Sequence, residues 1–409
     1  MASFTSFGAI QVFRNRAYRI YTEGNFISLI GTWVQRVATG WLAWELTHSG
    51  AWLGIIAAAE LLPSIVAGPL GGAMADRMDR FRLIKVAQIL QAVQAFALGV
   101  CALAGVADIW LLFAMSVFLG VVTALNQPAR LSMVRNLVRN EDLPSAIAIN
   151  SVLWNAARFV GPVVAGVLIL QLEIGWAFIV NGFSFVVFLV ALERLRDVIP
   201  RTAAVTGGRV IAQIVEGVRY TRVHPGLGPM VGLLLLGSVF VRPFAELLPA
   251  FADAVFGRGA EGLSMLTSAT GIGAVIAGIW LSQVARSGDL TGLAMHSLVA
   301  MAGAMFLLCA TDYFWLGLVA TGAAGCFMTV NGVAAQSLIQ RSCAPEMLGR
   351  VLSLYGLSAR AGPATGALMM GTASDWLGLQ TPVAVGAGIC VLAYLWALRK
   401  KRDIAKALS

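Results

Sequence analysis

Charge is scarce in this chain. Asp, Glu, Lys and Arg make up 12% of 409 residues, about half the share found in soluble domains. With 58% hydrophobic residues and a mean hydropathy of +0.81, too little polar surface remains to coat a soluble globule. The alternative solvent is lipid, whose hydrocarbon core is crossed by about 20 apolar helical residues. Strict alternation of apolar and polar residues is missing, which excludes an outer-membrane barrel. Only three histidines occur (His48, His224 and His296), far apart, which argues against a histidine-rich metal site. The five cysteines (Cys101, Cys309, Cys326, Cys343 and Cys390) form no CxxC pair and read as small buried hydrophobes, not a disulfide frame. A GxxxxGK[ST] loop is absent, which argues against ATP-driven work. No serine–histidine or paired metal-ligand constellation points to an enzyme, and no cofactor is expected.

What is present is a series of apolar segments at span length. They fall at roughly 20–45, 50–74, 83–105, 108–126, 144–170, 174–192, 230–253, 262–284, 291–310, 313–331, 348–374 and 380–398. The fold class expected is therefore an all-α membrane protein with twelve transmembrane helices in two six-helix bundles. Residues 1–192 form the first bundle, 193–228 a cytoplasmic linker and 229–409 the second bundle. Within the linker, Val210, Ile211, Ile214, Val215 and Val218 share one helical face, the pattern of a short helix lying on the membrane surface.

Positive charge follows this map. Of 29 basic residues, 24 fall on one side: those near Arg14, Arg77, Arg135, Arg201, Arg286, Arg341 and Lys401 with their neighbours. Arg36, Arg158, Arg242 and Arg360 lie within spans, and Arg258 alone lands on the other side. Basic loops stay cytoplasmic during insertion, so a multi-pass membrane protein with both termini in the cytoplasm is expected; the exporter resemblance given below implies the bacterial inner membrane. Arg14, Arg16 and Arg19 precede the first apolar run, as in a retained first span. The formal charge of +9 is then a sign of topology, and no nucleic-acid partner is expected.

The two halves share a spacing. Asn126 and Glu141 answer Asn331 and Glu346; Arg158, Gly161 and Pro162 answer Arg360, Gly362 and Pro363; Arg36 answers Arg242. The offsets run from 201 to 206 residues. Parallel repeats of this kind are a transporter architecture with the substrate near the midplane.

One loop carries a motif. Residues 71–82 read GGAMADRMDRFR, which resembles the signature between the second and third helices of the major facilitator superfamily. The resemblance implies a conformational latch made of Gly72, Asp76, Arg77, Arg80 and Arg82. Asp79 stands where that superfamily usually has glycine, as in the exporter branch of the enterobactin and macrolide-efflux transporters. Span 1 (GTWVQRVATGWLAWELT), the stretch from Asn126 to Pro162 and span 7 (RPFAELLPAFA) support that branch. On span 5, Gly161, Pro162 and Gly166 resemble the antiporter motif of drug exporters, with Ala165 replacing one glycine. Proline removes a backbone hydrogen bond and glycine allows close packing. Span 4, read as residues 108–126, lacks the arginine usual in drug–proton antiporters.

Charges inside a span cost roughly 2.5–3.5 kcal/mol on insertion scales and mark cavities or partners. The candidates are Glu23, Gln35, Arg36, Arg158, Arg242, Glu246 and Arg360, with Arg242 and Glu246 one turn apart. Helices 1, 4, 7 and 10 line the path in the superfamily fold, so Gln35, Arg36, Arg242 and Glu246 are expected to border it. The resemblance implies export of a small organic or amphiphilic compound; the costly carboxylates within the spans add the expectation that Glu246 or Glu23 carries a proton. Protons, membrane lipids and a small-molecule substrate are the partners expected of a monomer. Transport of a lipid, lysolipid or metabolite, or a sensor that moves nothing, are the competing readings.

Overall fold

The computed structural model describes residues 12–63, 67, 74, 79–139, 141–196, 210–284 and 289–408. Every element among them is helical. In chain order these are α1 (Arg16–Thr47), α2 (Gly50–Leu61), α3 (Arg80–Leu103), α4 (Ile109–Leu137), α5 (Leu143–Gln171), α6 (Ile174–Glu193), α7 (Val210–Val223) and α8 (Leu227–Phe240). There follow α9 (Phe244–Ala250), α10 (Gly259–Val284), α11 (Leu290–Cys309), α12 (Phe314–Ser342), α13 (Pro345–Leu377), α14 (Gln380–Arg399) and α15 (Lys401–Leu408). Nine helices among the described residues are long and apolar enough to cross a membrane. Polar and charged residues interrupt α1 at Gln35 and Arg36, and α13 at Ser358 and Arg360.

Local chemistry sets several helix starts. Asp108 accepts the Leu111 N–H at 2.7 Å, and Asp289 accepts the Gly292 N–H at 2.8 Å. Asp79 opens α3 by accepting the Phe81 N–H at 2.9 Å, which gives a physical reason for an aspartate there. Such caps contribute about 1 kcal/mol each.

The chain divides into two compact units: residues 1–42 with 63–207, and 43–62 with 208–409. In the first unit α3 and α6 run antiparallel, with Leu103 beside Gly175, Gly99 beside Ile179 and Phe96 beside Gly182. A Cβ on Gly99 would sit 2.8 Å from Ile179, and one on Gly182 2.7 Å from Phe96. Lipid tails are as apolar as leucine, so helix association rests on such close approaches and on interhelical hydrogen bonds. The hydrogen bonds form a buried amide seam. Gln35 donates to Gln94 (3.1 Å), Asn181 donates to Gln35 (2.6 Å), and Ser184 donates to Asn181 (2.9 Å).

In the second unit α10 and α12 approach closely where Gly273 meets Gly322 and Gly325 meets Thr270. Helix α2 packs on α13, with Gly50 against Gly371 and Ser374, and Gly54 against Ala367. Helix α7 is tied to α13 by Arg350 and Glu216 at 2.6 Å, and Tyr220 accepts the Ala344 N–H at 3.3 Å. The span expected over 230–253 is broken. Helix α8 ends at Phe240, and α9 begins at Phe244. Pro243 has no N–H to donate, and the Val241 and Arg242 N–H groups both donate to the Gly237 carbonyl. The Phe244 N–H turns to Val241, so the Val239 and Phe240 carbonyls lose their helical donors. Those two oxygens point at Gly366 and Gly386, where any Cβ would collide.

Candidate functional site

The span arginines of the first unit meet at one tryptophan. Trp33 and Arg36 lie three residues apart on α1 and share a face. Trp154, Arg158 and Gly161 line one stripe of α5 at spacings of four and three. Where the stripes meet, the Arg36 guanidinium lies 5.4 Å and the Arg158 guanidinium 5.7 Å from the centre of the Trp33 ring. The Trp154 ring meets Trp33 edge-on, with centroids 6.1 Å apart. Gly161 makes this possible, because a Cβ there would collide with the Trp33 Cβ. Both arginines and Trp33 are half-buried, and Trp154 is exposed.

A guanidinium over an indole face is attracted by about 0.5–2 kcal/mol.

The second unit treats its arginines differently. Arg242 sits at the break between α8 and α9, near Gly332 and Tyr355. Tyr355 donates to the Gly332 carbonyl at 3.2 Å. Glu246 lies half-buried in the first turn of α9, and Arg360 is exposed on α13. Gly362 faces Ser238, with a Cβ position 2.6 Å from the Ser238 Cβ.

The remaining sequence candidates are spread out. Gln35 is buried in the amide seam and uses its side chain to join α1, α3 and α6. Glu23 is exposed, 4.0 Å from Arg19. Pro162 and Gly166 are buried within α5, as is Ala165, where one glycine was expected. Arg80 and Arg82 lie in the first turn of α3, half-buried and exposed respectively. Gly72, Asp76 and Arg77 lie outside the described residues.

Three residues escaped the sequence reading. Helix α4 continues to Leu137 and so carries Arg130, beyond the span expected to end at 126. Arg130 donates to Asn25 and lies 5.4 Å from the Phe188 ring. The signal was available in the polar run after Asn126, which continues the helix through Pro128. Asp253 accepts the Trp44 indole N–H at 2.8 Å. Asp375 accepts from the Ser49 hydroxyl at 2.7 Å and the Gly50 N–H at 2.8 Å, capping α2 from outside its own sequence. Lone acidic residues near the ends of apolar segments were the available signal for these two.

Comparison with known proteins fits this architecture. A family model described as transmembrane secretion effector, of the major facilitator type, matches residues 7–407. The chain belongs to that family. Among curated relatives, the staphyloferrin A transporter of Staphylococcus aureus is 21% identical over 398 residues, covering 94% of this chain and 96% of the relative. The enterobactin exporter EntS of Shigella flexneri is 24% identical over 396 residues, covering 95% and 93%. Among solved structures, the peptide transporter POT in complex with sulfate superposes with a TM-score of 0.75 at 14% identity, covering 96% of this chain and 96% of that one. The nucleoside transporter NupG gives 0.73 at 12% identity, covering 94% and 98%. These likenesses show the fold. As a major facilitator protein, the chain is a secondary transporter of a small molecule, not an enzyme, and a multi-pass integral protein of the bacterial inner membrane.

Proposed function

We propose that the protein exports a small organic or amphiphilic compound by alternating access, driven by protons entering in exchange. Twelve spans with both termini in the cytoplasm make up the transporter, as the placement of the basic residues supports. Export is the direction named for the enterobactin relative. The observation that carries the reading is the broken span at Arg242 and Pro243, with Glu246 one turn beyond. Interrupted helices at membrane depth are where transporters place substrate and coupling ions. A carboxylate there gains a proton when buried and loses it beside a guanidinium, so a conformational change can load and unload it. Glu246 suits this role better than Glu23, whose exposed pairing with Arg19 leaves it less to gain from burial.

A substrate screen in a deletion strain, scored for resistance and secreted metabolites, supplies a cargo. Proteoliposomes under an imposed pH gradient then test the coupling. Wild type accumulates the cargo, and Glu246→Gln only equilibrates it. Gradient-driven accumulation unchanged in Glu246→Gln overturns the role given to Glu246. Accumulation indifferent to the gradient overturns proton coupling.

A further inference from the structure

We infer that Arg242, Tyr355 and Gly332 form a receptor for one acidic group of the cargo, so that the transported compound is an organic anion. The inference rests on the export reading above and names its substrate chemistry. Three elements of the second unit supply the site. The turn between α8 and α9 carries Arg242, α12 carries Gly332 and α13 carries Tyr355. They converge on one point. A Cβ on Gly332 would lie 3.4 Å from the Tyr355 hydroxyl and 3.7 Å from the Arg242 Nη2, and would meet nothing else from another element within 4 Å. The glycine therefore leaves a space bordered by a cation and a hydroxyl. Because both stand within 3.7 Å of that one point, the oxygens of a single carboxylate, sulfonate or phosphate can reach them together. Charge favours such a guest. Among the described residues no carboxylate lies within ion-pair distance of Arg242, and the titratable side chain that acts on it is Tyr355. A half-buried guanidinium without a counterion is costly, and its planar fork matches the oxygens of an acid group. Access is open as well, since Arg242, Gly332 and Tyr355 are all half-buried. The Tyr355 hydroxyl, which donates to the Gly332 carbonyl at 3.2 Å, can turn its proton towards an entering oxyanion.

An anionic lipid headgroup offers the same chemistry, so the experiment separates the two sources. Benzenesulfonate is permanently charged and benzenesulfonamide is its neutral counterpart. Their binding to the purified protein, in neutral detergent with phosphatidylcholine, is measured by calorimetry. Wild type is expected to bind the sulfonate about tenfold or more tightly than the sulfonamide. Arg242→Gln abolishes that preference, Arg242→Lys restores part of it, and Tyr355→Phe lowers it about threefold. Gly332→Ala guards against a variant that merely fails to fold. Its methyl meets both groups at ordinary contact distances, so the thermal midpoint holds, while the sulfonate loses its place and binds about tenfold more weakly. Equal binding of the two probes by wild type, no binding of either, a preference intact in Arg242→Gln, or full sulfonate affinity in Gly332→Ala overturns the inference. Displacement of the sulfonate by phosphatidylglycerol, with no sulfonate flux into wild-type proteoliposomes, assigns the site to lipid and overturns the cargo claim. A cargo from the deletion-strain screen that bears no acidic group overturns it too. Failure here leaves the export reading standing if Glu246→Gln still uncouples transport of a cargo found by the screen. Loss of gradient-driven flux for every compound would instead remove the reading itself.

Discussion

Each unit contains a Gly–Pro pair whose glycine faces a neighbouring helix of the same unit, and the two pairs hold different things. In the first unit Gly161 admits Trp33, and the ring gathers Arg36 and Arg158. In the second, Gly362 admits Ser238, and the helix just beyond it breaks at Arg242 and Pro243. Trp33 and Ser238 are 205 positions apart and the two glycines 201, so the packing repeats along with the sequence. The shared part is a helix crossing that needs a residue without a side chain. The parts that differ are the ones able to do chemistry: two cations on a ring in one unit, and a broken helix with a carboxylate in the other.

The largest effect on this comparison should come from the glycines. Gly161→Leu and Gly362→Leu each force a side chain into a closed contact, costing about 1–3 kcal/mol or more. Both should lower the thermal midpoint in detergent by several degrees. Only Gly161→Leu meets Trp33, so adding Trp33→Gly should recover part of its lost midpoint and none of the loss in Gly362→Leu. Recovery in both would show that the two seams are not independent.

Healing the break comes next. Pro243→Ala restores an N–H that can donate to the Val239 carbonyl, adding about 1 kcal/mol of helix stability. The expected result is a higher thermal midpoint with slower gradient-driven transport. A faster transporter would argue that the break has no part in coupling.

A smaller effect is expected where Asp375 caps α2. Asp375→Ala leaves the Ser49 hydroxyl and the Gly50 N–H without this acceptor, a loss of about 1 kcal/mol. It should increase cysteine labelling at Ala51→Cys, measured against the same labelling site with Asp375 intact. Unchanged labelling would mean the cap does not hold α2 in place.

The smallest effect concerns pH. The Gly292 N–H and the Lys401 ammonium hold the Asp289 carboxyl below its ordinary range. A lowered folded value means stability that is complete above the unfolded value, near about 4, and lost as pH falls through the folded one. The tie between Asp289 and Lys401 at 3.1 Å should therefore persist through the whole range of transport assays. Its contribution is well under about 1 kcal/mol because the carboxylate is largely exposed. A difference between wild type and Asp289→Asn that changes between pH 5 and pH 8 would contradict this.

Much of the scaffold was legible in advance because period and composition are local. The amphipathic segment of the linker is a helix over Val210–Val223. The basic loops, the repeat offset and the Gly–Pro pairs needed no tertiary information. What sequence could not supply was convergence. Trp33 and Arg158 are 125 positions apart, and no spacing rule joins them. Gln35 looked like a cavity residue because it is polar within a span, but a buried amide can be satisfied equally well by Gln94 and Asn181. The break at Pro243 was visible as a letter, but losing one N–H interrupts a helix only where neighbours leave room for the freed carbonyls. Gly366 and Gly386 do so from helices more than a hundred residues later.

The central claim is that a small molecule is moved at the expense of a proton gradient through Glu246, one turn beyond the break at Arg242 and Pro243. The most direct measurement is flux of the cargo found by the screen in proteoliposomes under an imposed pH gradient, comparing wild type with Glu246→Gln. The account predicts gradient-driven accumulation in wild type and equilibration without accumulation in Glu246→Gln. Accumulation in both to the same level would contradict it.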